Sequence, residues 1–475
     1  MVDACASWNP IISVQEVFTE LRNINVRKAA GSDRLPPRLL RAGADVFAPI
    51  LAHLINLSAE TKSVPLQWKI ANVVPIPKKR NPTIEELRPI SLLPIFAKIC
   101  EKLILASVKK QLIELYGPHQ FGFRPRSSTT LSHIKLHNFI TEQLDLPAVA
   151  SVLLISFDMS RAFDSLSHGA LMRTLIHSGL PMGFISWCSS YLQNRQQKVT
   201  IEQMISTSMN VTSGVPQGSI IAPFLFCVQM RSAKPFSPEA LILKYADDIL
   251  IAIPVLNSAV TSTSISTLIQ TEIDHMKKWC LENGLKLNPN KTKSLLISKK
   301  GKGSLGYTTE TLSSELKFLG LTYNTELNWK SHVSLITKTA SRMTYVLRKL
   351  KTFLPKPLLI QVYRAIIRSR LEYGNAVFVG LSIGEKEKLE KIQRLCHRLI
   401  CGPLCSCSEF PSLDSRRIKN AMYIFTQMQH EDHILHDMYP PVLPHGKRLF
   451  LPFSKTNRRL NSFLPFCTCY FNHLV

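Results

Sequence analysis

Two adjacent carboxylates, Asp247 and Asp248, interrupt an otherwise apolar run from Leu241 to Ile253. The flanks, Leu241–Leu243 and Ile249–Ile253, are short aliphatic runs of the kind that suit strands of a buried sheet. The stretch therefore predicts a hairpin with two acids at its tip. Like charges in a partly dry site resist joint ionisation, so such a fold needs something to offset them. A divalent metal, which takes hard oxygen ligands, is the usual offset. A solvated Asp-Asp turn is the other reading, and this stretch alone leaves both open.

At 475 residues the chain is long enough for several packed subdomains. Its 45% hydrophobic and 19% charged residues mark it as globular rather than disordered. Lys and Arg number 58 against 33 Asp and Glu, a net charge of +25, which points to a polyanionic partner, most simply nucleic acid. An anionic membrane surface competes, but no long basic amphipathic helix supports it. No uninterrupted apolar window reaches the ~18 residues of a spanning helix. The first ten residues lack the basic and apolar regions of a secretory signal. The eleven cysteines are scattered and odd in number, so reduced thiols are expected. The densest group, Cys396, His397, Cys401, Cys405 and Cys407, with Cys467 and Cys469 downstream, contains no paired CxxC, and a structural zinc is not the expectation there.

Taken in order, Ser13-Val-Gln-Glu16 is a capping box opening a helix with Val14, Val17, Phe18 and Leu21 on its apolar face. Residues 37–57 predict a second helix, with Leu39, Leu40, Val46, Ile50, Leu51 and Leu54 near helical spacing. Ala71–Arg80 reads as a strand entering a basic loop, and the chain returns through Leu87–Ser91. The pair forms a hairpin suited to gripping phosphates through Lys78, Lys79 and Arg88; a solvated basic turn is the alternative. Residues 95–112 predict a helix. The loop Gln120–Pro125 carries two aromatics and an Arg, a weak base-stacking signal. Residues 151–158 form a buried-strand pattern ending in Asp158. Asp164 follows at a turn into a helix, where a capping role is the simplest reading. Ser213–Ser219 is a Gly/Pro loop ahead of an apolar helix, residues 220–228. Ile265, Ile269, Ile273, Met276 and Cys280 trace a helical stripe. Lys317–Tyr323 reads as one strand, and from residue 330 the periodicity is wholly helical, with basic outer faces.

Asp158 ends one strand, while Asp247 and Asp248 sit at a hairpin tip far along the chain. Three carboxylates brought together by folding suit two Mg²⁺ ions, the arrangement that stabilises attacking and leaving oxygens in phosphoryl displacement.

The segments FDMSRAFD (157–164), SGVPQGS (213–219) and YADD (245–248), in this order, resemble the palm motifs of reverse transcriptases. VVPIPKK, LRPISLLPIFAKICEKLI, QFGFRP, LNPNKTK, LKFLG and the tail through NSFLPF resemble the flanking regions of non-LTR, Jockey-like retrotransposon polymerases. The resemblance covers nearly the whole chain. It implies an α+β right-hand polymerase, with fingers and a palm built on an antiparallel sheet, then a helical thumb. The implied domains are an N-terminal helical extension (1–63), fingers and palm (64–323) and a thumb or C-terminal region (324–475). It implies RNA-directed DNA synthesis with two Mg²⁺ ions, or Mn²⁺ in their place. The expected partners are an RNA template, a DNA primer or target DNA, and dNTPs, with no membrane. An intracellular ribonucleoprotein, nuclear or cytoplasmic, is the expected setting.

The same resemblance assigns Asp158 and Asp247 to the metals, with Asp248 assisting and Lys291 protonating pyrophosphate. Lys78 or Lys79 and Arg88 would bind the triphosphate. Phe163, five residues after Asp158, stands where the family carries an aromatic steric gate against the 2′-OH. Gln217 would pack near the incoming nucleotide, Tyr245 would line the primer end, and Gly320 falls in the primer-grip region. Three departures stand out. Ala222 replaces the glycine usual after PQGS, Cys227–Ser232 replaces the aromatic-Asn-Asp-Leu run, and Arg34 replaces a glycine after Asp33. The upstream endonuclease and the CCHC knuckle of such elements are absent from this sequence, which reads as a polymerase segment or truncated copy unable to nick its own target. Three alternatives remain: an RNA-dependent RNA polymerase, opposed by Phe163 and YADD; a catalytically dead RNA-binding remnant; and a group II intron maturase, whose Cys-pair nuclease pattern is missing.

Overall fold

The computed structural model, which describes residues 8–259, 261–299, 312–402, 410–444 and 446–474, is a mixed α+β structure. The chain divides into two units. The first comprises Met1–Arg124, Met159–Lys234 and His275–Asn288, and the second Pro125–Asp158, Pro235–Asp274 and Pro289–Val475. No helix among the described residues is long and apolar enough to cross a membrane.

In the first unit, the helix Val14–Arg22 opens on the reciprocal cap its sequence predicts. The Ser13 hydroxyl accepts from the Glu16 amide at 3.2 Å, and the Glu16 carboxylate accepts from the Ser13 amide at 2.9 Å. Val17 and Leu21 are buried against the helix Ala44–Thr61. The single helix expected over 37–57 is instead two, Pro37–Ala42 and Ala44–Thr61, meeting at Gly43. Its inner face is not the one these apolar residues trace. Leu40 and Leu51 are buried, but Leu39, Val46, Ile50 and Leu54 face solvent. Ala44, Ala48, Leu51, Ala52, Ile55 and Ala59 form the buried stripe instead. Small residues at helical spacing let neighbouring helices approach closely, so alanine takes the core positions here.

The strands Ile70–Pro77 and Leu87–Leu92 pair antiparallel, with Ile76 opposite Arg88. On its other side Ile70–Pro77 runs parallel to Arg195–Ile201, which pairs antiparallel with Met204–Ile205 and Met209–Val211. Gln196, Gln197 and Lys198 break the hydrophobic alternation of this strand, and no sequence signal marked it. The helix expected over 95–112 breaks at Ser107 into Ile95–Ala106 and Lys109–Tyr116.

The second unit is built on a four-stranded antiparallel sheet. Its order is Leu241–Tyr245, Asp248–Leu256, Val149–Phe157, Lys293–Ser298. Val152, Leu153, Leu154 and Ile155 of the central strand are fully buried, and the helix Thr129–Asp145 packs against the sheet. The expected strand Lys317–Tyr323 is a hairpin, Glu315–Phe318 and Leu321–Asn324, folded at Leu319-Gly320. The basic, helical C-terminal region starts with Lys330–Leu350, whose buried face holds Val333, Ala340 and Leu347. It packs on Ile383–Cys401. No disulfide is formed among the eight cysteines of the described residues. Cys405 and Cys407 lie outside the described residues.

Candidate active site

The acids of the second unit are placed by strand register. Phe157 pairs with Ile249 on one side, and Ser156 with Lys293 on the other. Antiparallel counting sets Asp158 across from Asp248 one step past the first ladder and in line with Lys291 two steps past the second. Tyr245 pairs with Asp248 across the two-residue turn Ala246-Asp247. Asp158, Asp247, Asp248, Tyr245 and Lys291 therefore share one end of one sheet. The apolar runs explain this convergence: each strand is held mainly by aliphatic burial, and the carboxylates fall at the strand ends, where the sheet stops.

Charge crowding is the chief property of this sheet end. The Asp248 carboxyl is pushed up to about 6, first by desolvation and then by the charges of Asp247 and Asp158, with Lys291 opposing. Its surface is nonetheless open to water, so solvent screens part of that repulsion. The Lys291 ammonium donates to Asp158 Oδ2 at 3.0 Å, a partly exposed ion pair. Among the described residues, no three His, Cys, Asp or Glu side chains stand close enough together to hold a metal ion. The donor set is nevertheless all carboxylate oxygen, and the raised Asp248 carboxyl registers negative charge that a hard cation would relieve. By donor chemistry these residues fit a divalent ion of the magnesium class.

Gly320 lies apart from the acids along this unit's chain, in the Leu319-Gly320 turn and against the ring of Tyr373. The Tyr373 hydroxyl donates to the Leu319 carbonyl at 2.7 Å.

The remaining candidates belong to the first unit. Its cavity of about 610 Å³ is lined by Arg161, Asp164, Ser213 and Gln217 over an apolar wall that includes Val73, Leu87 and Pro89. Gln217 Nε2 donates to Asp164 Oδ1 at 2.8 Å. Burial raises the Asp164 carboxyl, against the lowering effects of Gln217, Arg161 and Lys78. Lys78, Lys79, Arg88 and Phe163 are not among the lining residues. Lys79 pairs with Glu86 at 2.7 Å across the basic loop, and Arg88 is exposed. Phe163 stacks on buried Phe226, with ring centroids 4.5 Å apart and planes 17° apart, and meets Phe123 edge-on at 5.9 Å.

Two expectations change here. Asp164 does not cap the short helix Ala162–Ser165; Arg161 holds the cap position, and the Asp164 side chain serves Gln217. Of the two aromatics in Gln120–Pro125, Phe121 is buried and only Phe123 is accessible. Sequence reading also passed over Arg161, Glu101 and Phe226. Arg161 sits inside the FDMSRAFD segment, which was the available signal. Glu101 sits inside the LRPISLLPIFAKICEKLI segment, which was likewise its signal, whereas Phe226 sits in an apolar helix and gave none.

A family model described as Reverse transcriptase (RNA-dependent DNA polymerase) matches residues 76–323, a little over half the chain. The RNA-directed DNA polymerase from mobile element jockey of Drosophila melanogaster is 26% identical over 407 residues, covering 81% of this chain and 43% of that protein. The probable RNA-directed DNA polymerase from transposon BS of the same organism is 28% identical over 356 residues, covering 71% and 38%. This chain thus spans less than half the length of these relatives. A solved structure of apo telomerase from Candida tropicalis aligns with a TM-score of 0.44 at 15% identity, over 78% of this chain and 62% of that one; so loose a likeness carries no further weight. The chain belongs to the reverse transcriptase family and is related to the Jockey-like non-LTR retrotransposon polymerases.

Proposed function

We propose that this chain extends a DNA primer on an RNA template, using dNTPs, as the polymerase part of a retrotransposon protein. The observation that carries the reading is the register that sets Asp158 across from Asp248, beside Asp247 and Lys291. In this reading residues 64–323 supply fingers and palm, residues 1–63 an N-terminal extension and residues 324–475 the thumb.

Asp158 and Asp247 would hold two divalent ions, Mg²⁺ or Mn²⁺, with Asp248 assisting. When bound, such ions stabilise the attacking and leaving oxygens of an in-line displacement. Lys291, an ammonium beside Asp158, is the general acid for departing pyrophosphate. Lys78, Lys79 and Arg88 bind the triphosphate; the Lys79–Glu86 pair is exposed and water-screened, so a polyanion displaces Glu86 readily. Gln217 contacts the nucleotide with its amide oriented by Asp164. Phe163, braced by Phe226, excludes a 2′-OH. Tyr245 lines the primer end and Gly320 supports the primer.

Primer extension by the purified chain, with RNA template, DNA primer, dNTPs and Mg²⁺, tests the reading. Asp247→Asn should lower extension by at least about 100-fold, and Phe163→Ala should admit ribonucleotides. RNA binding with no extension by the unmutated chain would overturn it in favour of a binding-only remnant.

A further inference from the structure

The turn Pro216–Ser219 is gripped from behind by a carboxylate that no part of the proposed chemistry uses. Glu101 lies within the helix Ile95–Ala106 and is 2% exposed. Its Oε2 accepts from the Ser219 hydroxyl at 2.7 Å, from the Ile220 amide at 2.6 Å and from the Ile221 amide at 3.4 Å. These groups lead into the helix Ala222–Met230. A buried anion at this end satisfies amides that have no partner within the helix and complements its dipole.

The contact is itself supported. Tyr191 donates to Ser219 Oγ at 2.8 Å, and the same oxygen accepts from the Ile221 and Ala222 amides at 3.1 Å. The Arg195 guanidinium lies 4.6 Å from the Tyr191 ring centroid. On the opposite side of the turn, the Ser91 amide donates to the Gln217 carbonyl at 2.8 Å. Gly218, at φ +139°, lies so close to the Ser91 carbonyl that a Cβ would collide with it. Gln217 is thus suspended between a strand, Asp164 and the Glu101–Ser219 bond.

We propose that Glu101 is a positioning residue for Gln217, fixing the turn from its buried side so that one amide orientation meets the incoming nucleotide. This rests on the reading that the turn serves that nucleotide. Its physical basis is local: a charged acceptor bonding three donors resists displacement more than a neutral one, and small errors in placing a contact group are costly to catalysis.

The test uses the full chain as Glu101→Ala and Glu101→Gln, with Ser219→Ala as a variant that keeps the carboxylate. Two measurements are made: amide hydrogen exchange over residues 216–222, and KM and kcat for dNTP in primer extension. Glu101→Ala should speed exchange at Ile220 and Ile221 while the amides of Ile70–Pro77 keep their protection. It should raise KM for dNTP by roughly 10-fold with a smaller fall in kcat. Glu101→Gln retains one acceptor oxygen and should fall between. Unchanged local exchange, or exchange that accelerates uniformly through the unit with KM unmoved, would overturn the proposal. If the unmutated chain does not polymerise, the polymerase reading fails, and local exchange still decides whether Glu101 holds the turn.

Discussion

Asp248 is where a single residue's chemistry is most exposed to measurement. Its folded-state carboxyl, at about 6, lies above the ordinary value of 3.8. Between those values the folded chain binds more protons than the unfolded one, so stability falls as pH rises through the window. Above it the ionised carboxylate destabilises the sheet end. Asp248→Asn should therefore raise the melting temperature at pH 7.5, by about 1–2 °C because solvent screens an exposed group. The gain should vanish near pH 4, and Mg²⁺ should narrow it by stabilising the unmutated chain more. A gain that persists at pH 4 would assign the effect to something other than charge. The same residues mark what sequence reading can reach. Asp158, Asp247 and Asp248 were legible because each interrupts or ends an aliphatic run. Asp164 was visible too, but its partner Gln217 is distant in sequence, and only folding shows that the side chain orients an amide rather than capping a helix. Glu101 lay inside a segment that carries the resemblance, but its role was not legible, because one acid in a helix ordinarily reads as part of its wet face.

At the level of elements, the main lesson comes from the helix Ala44–Thr61. Leucine, valine and isoleucine fall near helical spacing there, yet Val46, Ile50 and Leu54 are exposed while Ala48 and Ala52 are buried. Hydrophobic periodicity finds the helix but misplaces its buried side when small residues carry the packing. Likewise Lys317–Tyr323 looked like one strand because its apolar content runs through the turn; Leu319 at φ +39° and Gly320 at φ +89° supply the reversal. The strand Arg195–Ile201 was missed for the opposite reason: its buried residue is the charged Arg195 while the apolar Val199 and Ile201 are exposed, so its sequence carries no inward-facing apolar alternation. The helix yields a paired prediction. Ala48→Leu should destabilise by about 1–3 kcal/mol through overpacking, whereas Ile50→Ala should stay within about 0.5 kcal/mol. Urea unfolding of both variants checks this, and a larger loss at Ile50 would mean the exposed face is covered in solution.

For the molecule as a whole, acid is the revealing perturbation. His133, His137 and His332 are buried with Tyr323 and Phe378 in the second unit, in contact with the half-buried ring of Trp329. His133 bonds Tyr323 at 2.9 Å, and His137 stacks on Trp329. Desolvation lowers the three side chains to about 3, 4 and 4, respectively, from 6.5. They stay neutral in the folded chain long after they would protonate in the unfolded one. Their contribution is thus complete above pH 6.5 and is lost as pH falls toward 4. Each should cost roughly 1 kcal/mol of stability per pH unit below 6.5. A chain already at net +25 gains further self-repulsion over the same range, so the two effects add. His137→Phe keeps an aromatic ring against Trp329 and removes one proton site. Its melting temperature should fall less steeply between pH 6.5 and 5 than that of the unmutated chain, by about a third of the histidine-dependent slope. Equal slopes would show that general charge repulsion, rather than this buried cluster, governs the acid limb.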